Sequence, residues 1–121
     1  MNTSKVLLVI ASLVALLPAV AAAPSYTAVN PPSTKASGAL LFPSRQAVTE
    51  CFARVFADTS RGFRVCEPSA KRVLTPGVRL AILEKYDSEV VVKVKVLDGT
   101  ARGQVGFLHE VWISPSPWAS R

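Results

Sequence analysis

Apolar and polar residues alternate along two stretches in the second half of the chain. The apolar positions are Val78, Leu80 and Ile82 in 77–84, and Val90, Val92, Val94 and Val96 in 89–97. A period of two residues is typical of strands that bury one face. A turn centred on Asp87 would put both apolar sets on the same side of one hairpin. The predicted facing pairs are Val78 with Val96, Leu80 with Val94, and Ile82 with Val92.

Two earlier stretches, 49–56 and 62–66, are predicted to form a second hairpin. A symmetric turn centred just after Asp58 puts Cys51 opposite Cys66. Facing residues in antiparallel strands have Cα atoms ~4.5–5.5 Å apart, which is within reach of a disulfide. We therefore predict a disulfide between the two cysteines, closing a loop of about 15 residues and contributing ~3 kcal/mol to stability.

The last predicted strand is 104–109, which follows a glycine-containing turn, and 110–113 closes the domain. Five short strands with turn signals every 8–12 residues are typical of a small barrel. The sequence thus predicts an all-β domain over 47–113.

The chain opens with the features of a secretory signal peptide. Lys5 precedes the nearly continuous apolar run 6–17, which ends at Pro18 before small residues. The run is shorter than the ~20 residues needed to span a bilayer. We predict a signal peptide over 1–22, cleaved after Ala22, and an exported protein, periplasmic or secreted, that does not span the membrane.

Two segments flank the predicted domain without any apolar period. Residues 23–46 are rich in Pro, Ser and Ala, and the tail 114–121 contains two further prolines. Segments of this composition bury too little apolar surface to offset the entropy of ordering. They are predicted to be a flexible linker and a flexible tail.

The charge balance indicates an anionic partner. The chain has 14 basic and 8 acidic side chains, so its net charge is +6, or about +5 once Lys5 is removed. A localised positive field attracts phosphate, carboxylate or an anionic polymer, although the same charge could serve solubility alone. We expect an envelope protein, a peptide or an anionic cell-wall polymer as the partner. No nucleic-acid-binding motif is present, so nucleic acid is not expected.

The outer face of the predicted hairpin carries candidate binding residues. In the register above, Arg79 lies opposite Lys95, and Lys93 is diagonal to both. Facing like charges destabilise a sheet by a few tenths of a kcal/mol, so the cluster requires an explanation. Either the face docks an anionic partner, or its cations protect the sheet from edge-to-edge aggregation.

Three other side chains are candidates for binding. Arg61 and Arg64 lie in one predicted turn region, where a rigid basic loop could enter a partner's cleft. Trp112, near the end of the domain, could stack on a peptide or a sugar.

The inventory of catalytic groups is small. His109 is the only histidine, so a two-histidine metal site cannot form and any nucleophile–base pair would have to use it. No glycine-rich phosphate loop opens a helix. We predict no catalytic residue, no metal, no cofactor and no enzymatic activity.

Three short motifs resemble the bacterial Src-homology-3-like (SH3-like) domain. They are Pro76-Gly77-Val78-Arg79-Leu80-Ala81-Ile82, the strand Val90 to Val96, and Gly106-Phe107-Leu108. The resemblance covers roughly 52–113. It implies a small SH3-like β-barrel that acts as a binding module, often for cell-wall peptides or for a protein in the envelope.

The function predicted from sequence is therefore an exported, non-catalytic binding module for a cell-envelope partner. One alternative is a secreted inhibitor or effector that acts on an enzyme through the basic loop 61–64. The least favoured alternative is a hydrolase that uses His109.

Overall fold

The computed structural model describes residues 25–118. The predicted signal peptide over 1–22 and the last three residues of the tail lie outside this range. The strands are β1 (Tyr26–Ala28), β2 (Ala39–Leu41), β3 (Arg72–Leu74), β4 (Arg79–Tyr86), β5 (Val91–Val96), β6 (Val105–His109) and β7 (Ile113–Ser114). The helices are α1 (Arg45–Ala57) and four 3₁₀ helices at Pro32–Thr34, Gly62–Ser69, Asp87–Glu89 and Glu110–Trp112.

The strands form two antiparallel sheets. The larger has the order β6-β5-β4-β1-β7, and β2 and β3 form the smaller. One isolated bridge, between Phe42 and Phe107, connects them. The prediction of a mostly β-stranded domain is confirmed. The described strands do not close into the predicted barrel, and the presence of α1 means that the fold is not all-β.

The hairpin of β4 and β5 is present, in a different register from the predicted one. Leu80 faces Val96 and Ile82 faces Val94, and a bulge follows before Glu84 faces Lys93. As far as Ile82 the pairing is displaced by two residues from the predicted register, which keeps Leu80, Val94 and Val96 on the buried face. Beyond the bulge the displacement is three residues. The cause is the turn: Asp87–Glu89 forms a 3₁₀ helix, and Val90 adopts a left-handed conformation with φ 51° instead of joining the strand.

The predicted hairpin over 49–56 and 62–66 is wrong, because both stretches are helical. Ser44 caps α1, its Oγ accepting a hydrogen bond from the Ala47 N–H at 3.1 Å. Val48, Cys51 and Val55 are the buried residues of α1. Their spacing of three and four residues is the helical period, which competed with the strand pattern in this segment.

The predicted disulfide between Cys51 and Cys66 is confirmed. It joins α1 to the 3₁₀ helix Gly62–Ser69, with Cα atoms 5.5 Å apart across a separation of 15 residues. Both cysteines are buried in the core.

From residue 25 onward, the segment predicted as the flexible linker 23–46 is ordered by strand pairing. Strand β1 pairs with both β4 and β7, and β2 pairs with β3. Ala39 and Leu40 are fully buried. These three-residue strands are ordered by partners far along the chain, so no local periodicity marks them.

The tail also differs from the prediction as far as residue 118. Ile113 and Ser114 form β7. The Trp118 Nε1–H donates to Asp87 Oδ1, and Lys85 Nζ donates to the carbonyl of Pro117 at 3.3 Å. The tail therefore packs against the turn between β4 and β5.

One core lies between the inner face of the larger sheet, α1 and the smaller sheet. Its largest fully buried side chains include Trp112, Phe42, Leu40, Leu41, Leu80 and Leu108. Within 25–118, no helix is long and apolar enough to cross a membrane.

Candidate functional site

Three basic side chains meet at one surface pocket, which we call the basic pocket. It is lined by Lys35, Ser60, Arg61, Arg64 and Val65, and its volume is about 430 Å³. Arg61 and Arg64 were predicted as binding residues from sequence. Lys35 was missed, because it lies in the segment interpreted as a flexible linker.

Backbone conformation brings the two halves of the basic pocket together. Lys35 has a left-handed φ of 58°, and its Nζ donates to the carbonyl of Ser60 at 3.2 Å. Gly62 also has φ 58°, and a Cβ built there would lie 2.6 Å from the Thr34 carbonyl oxygen. Glycine thus permits the close approach that holds Lys35 beside the arginines.

Among residues 25–118, no carboxylate lines the basic pocket. Within residues 25–118 the ion pairs are Arg45–Glu89, Arg79–Asp98 and Lys93–Glu84, and none uses a pocket cation. Asp58 interacts by charge with one of the pocket cations, Arg61. Its pKa is lowered mainly by hydrogen bonds from the Ser60 hydroxyl and N–H, and to a smaller extent by the charge of Arg61. The pocket is therefore a site of excess positive charge.

The cations of the sheet face are arranged differently from the predicted cluster. Lys95 faces Ala81 and not Arg79. Arg79 Nε lies 2.9 Å from Asp98 Oδ2, and Lys93 Nζ lies 4.0 Å from Glu84 Oε1. The predicted pairing of like charges across the hairpin is thus wrong, since it depended on the displaced register. Only Lys95 of the three lacks an acidic partner among the described residues.

Trp112 is 0% exposed and belongs to the core. Its ring contacts Phe63 edge to face, with centroids 5.1 Å apart, and also contacts Phe42. The prediction that Trp112 stacks on a ligand is wrong for this conformation, because the 3₁₀ turn Glu110–Trp112 directs the ring inward.

A second pocket, which we call the apolar pocket, lies between α1 and the β5–β6 edge. It has a volume of about 280 Å³ and is lined by Val48, Thr49, Phe52, Phe56, Glu89, Val90 and His109. Phe56 is 76% exposed at its rim. This pocket was not predicted from the sequence, because the residues of α1 were predicted to form a strand.

His109 is held in a fixed orientation at the apolar pocket. Its ring stacks on Phe52 with centroids 3.9 Å apart, and its Nδ1 accepts a hydrogen bond from the Val111 N–H at 3.0 Å. Burial lowers the pKa of His109 to about 4. The imidazole is therefore neutral near pH 7, with its proton on Nε2.

The groups around His109 are already engaged in other interactions. The Thr49 hydroxyl donates to the Gln46 carbonyl at 2.9 Å, and Glu89 is paired with Arg45. The described part of the chain contains no cluster of three His, Cys, Asp or Glu side chains that could hold a metal ion.

Comparison with protein-family models, with curated proteins and with solved structures finds no match to this chain.

Proposed function

We propose that this chain is an exported, non-catalytic binding module that docks an anionic partner of the cell envelope at the basic pocket. The observation that carries the proposal is the convergence of Lys35, Arg61 and Arg64 on one cavity that no carboxylate lines. Asp58 interacts with Arg61 by charge, but none of the ion pairs in residues 25–118 includes a pocket cation. The three like charges repel one another in the free protein, and an anionic ligand relieves that repulsion.

The basic pocket supports the proposal better than the sheet face does. Arg79 and Lys93 each have an acidic partner, so docking there would have to compete with existing ion pairs. The pocket arginines keep their planar donor groups available for carboxylate or phosphate. Lys95 has no acidic partner among the described residues, but it lies on β5, which is paired on both sides by β4 and β6, so the alternative of edge protection does not apply to it.

Export is part of the proposal and rests on the sequence. The apolar run 6–17 precedes small residues, as in a signal peptide. The disulfide between Cys51 and Cys66 fits an oxidising compartment.

The SH3-like assignment is retained as a proposal about ancestry. The three motifs that resemble the family lie on or beside β4, β5 and β6, and Pro76-Gly77 forms the turn before β4. This relationship would make a binding role, rather than catalysis, the ordinary use of the fold.

A charge-matched comparison tests the docking site. The mature chain, from residue 23, is incubated with a bacterial envelope fraction and sedimented, alongside the double variants Arg61→Gln/Arg64→Gln and Lys93→Gln/Lys95→Gln. Both variants lose two positive charges, so a difference between them cannot come from net charge alone. We expect the arginine variant to bind about ten-fold more weakly and the lysine variant to bind within about two-fold of wild type.

Two results would contradict this proposal. One is equal loss of binding in both variants, which would indicate attraction by net charge alone. The other is loss only in the lysine variant, which would assign docking to the sheet face. Wild-type binding should also weaken as salt rises from about 50 to about 300 mM, because the Debye length falls below ~10 Å.

A further inference from the structure

We infer that the basic pocket selects a dianionic phosphate monoester over a ligand that carries a single carboxylate. This inference rests on the proposed function, because it names the chemical class that the same site recognises. It is drawn from the number of cations at the pocket, their hydrogen-bond donors and the shape of the lining.

The charge of the pocket favours a ligand with more than one negative charge. Lys35, Arg61 and Arg64 contribute three positive charges, and no acidic side chain lines the pocket. A carboxylate supplies one negative charge, whereas a phosphate monoester supplies about −1.5 to −2 near pH 7. Attraction grows with the product of the charges, so the phosphate gains more from the same three cations.

The donors of the pocket also suit a phosphate group. Each guanidinium presents five N–H donors in a planar fork, and neither Arg61 nor Arg64 is bonded to an acidic side chain in the described part of the chain. One donor of the Lys35 ammonium is used by the Ser60 carbonyl, which fixes its position and leaves two. Phosphate offers three acceptor oxygens on one centre, which is one for each of the three cations that line the pocket.

The pocket has room for more than the phosphate. Its volume of about 430 Å³ lies within the ~300–1,000 Å³ range of small-molecule sites. Val65 is the apolar residue of the lining, and Ser60 is its uncharged polar residue. A small carbon skeleton such as a sugar ring can therefore occupy the space beside the phosphate.

The ligand's own ionisation gives the inference a pH signature. The lining has no histidine and no carboxylate, and His109 lies in the other pocket. Two acidic groups lie near the pocket: Asp58, whose pKa is lowered, and Glu67, whose Oε1 accepts from the Ser37 N–H at 2.7 Å. A phosphate monoester gains its second charge with a pKa of about 6. Its affinity should therefore rise between pH 5 and about pH 7.

Three matched sugars test the selectivity. Glucose 6-phosphate, glucuronate and glucose share one ring and differ in charge. Each is titrated into the mature chain by calorimetry at low salt. We expect glucose 6-phosphate to bind about ten-fold more tightly than glucuronate, and glucose to give no heat of binding. The ratio between the two anions should shrink toward pH 5.

Variants connect the selectivity to the pocket. Arg61→Gln/Arg64→Gln should remove the preference for phosphate, and Lys35→Gln should reduce it, while Lys93→Gln/Lys95→Gln should leave it unchanged. Circular dichroism on each variant confirms that it is folded. Equal affinities for the two anionic sugars in the wild type would overturn the inference, and so would a phosphate preference that persists in the arginine variant.

Vesicles distinguish a lipid phosphate from a soluble one. If phosphatidic acid in phosphatidylcholine vesicles binds the chain and glucose 6-phosphate competes, the pocket takes the phosphate from either source. If the vesicles fail to bind while the sugar phosphate binds, the ligand is a soluble phosphate monoester. Both results support the pocket's selectivity.

Failure of this inference can be told apart from failure of the proposed function. Envelope binding that depends on Arg61 and Arg64, without any preference for phosphate, would leave the docking site standing and remove the ligand class. A preference for phosphate without arginine-dependent envelope binding would support the ligand class and remove the proposed docking of an envelope partner.

Discussion

Cys51 on α1 and Cys66 on the 3₁₀ helix Gly62–Ser69 are bonded to each other in the core, with Cα atoms 5.5 Å apart. The bond ties α1 to the 3₁₀ helix that contains Arg64 and that Arg61 directly precedes. It closes a loop of 15 residues, and the basic residues of that loop therefore have fewer accessible conformations. The disulfide is thus a structural support for the basic pocket.

Replacing Cys51 by Ser should destabilise the protein by ~2–4 kcal/mol, since the loop constraint is lost and a hydroxyl enters a buried site. Urea unfolding of the variant and of wild type measures the difference. The Cys51→Ser/Cys66→Ser double variant serves as the control, because it leaves no unpaired thiol. An unchanged unfolding midpoint, or two alkylatable thiols in the purified wild type, would contradict the disulfide.

Trp112→Ala should cost ~3–5 kcal/mol, because it leaves a cavity where the largest buried side chain stood. Trp112→Phe should cost much less. The Trp112 Nε1–H is buried without a hydrogen-bond partner in the described residues, and phenylalanine removes that donor.

Fluorescence provides the control for the Trp112 variants. Trp118→Phe leaves Trp112 as the only tryptophan, and its emission should be blue-shifted and resistant to quenching by acrylamide. Strong quenching would indicate that Trp112 is exposed, and its role as a ligand platform would then be restored.

The β4–β5 hairpin could be predicted from sequence because alternation of apolar residues is a local signal. Its exact register could not, since the apolar pattern marks neither the bulge between Ile82 and Glu84 nor the left-handed conformation of Val90. A displacement of two residues preserves the buried face, so the apolar pattern alone cannot detect it. The facing partners of the charged residues therefore differ from the predicted ones: Lys95 faces Ala81 and not Arg79.

α1 was predicted as a strand although the sequence contains a helical signal. Val48, Cys51 and Val55 follow a spacing of three and four residues, and Ser44 is a favourable N-cap. The strand prediction relied instead on a symmetric turn that places the two cysteines opposite each other. A helix and a 3₁₀ segment place them just as close.

The basic pocket could be predicted only in part. Arg61 and Arg64 were candidates from their charge, but Lys35 lies 25 residues before Ser60, whose carbonyl it contacts. Lys35 lies between β1 and β2, and these strands are held in place by pairing with β4 and β3, which lie far along the chain. Such long-range pairing leaves no periodic pattern in the local sequence.

Gly106→Ala should destabilise the link between the two sheets. A Cβ at this buried position would lie 2.6 Å from Leu41 Cγ and 2.9 Å from the Phe42 carbonyl oxygen. Overpacking of this kind costs ~1–3 kcal/mol. In a double-mutant cycle, adding Leu41→Ala should relieve part of the clash, with a coupling of at least about 0.5 kcal/mol. Strict additivity of the two losses would contradict the contact.

His109 should make the protein less stable as the pH falls from about 6.5 toward 4. Burial lowers its folded pKa to about 4, while the unfolded value is about 6.5. In that window the unfolded chain binds a proton that the folded chain does not, so protonation favours unfolding, and the full stability is present above the unfolded pKa. Urea unfolding at several pH values measures the loss.

His109→Asn is the matched control, because its side-chain oxygen can still accept the Val111 N–H and it does not titrate. The variant should lose less stability between pH 6.5 and 4 than wild type does. Below pH 4 the stability of both proteins should fall by the same amount, because both contain Asp58 and Asp98. Hydrogen bonds from Ser60 lower the pKa of Asp58, and hydrogen bonds from Arg79 lower the pKa of Asp98. An NMR titration of the imidazole should give a midpoint near 4. A midpoint near 6.5, or the same pH dependence in both proteins, would show that the ring is not buried against Phe52.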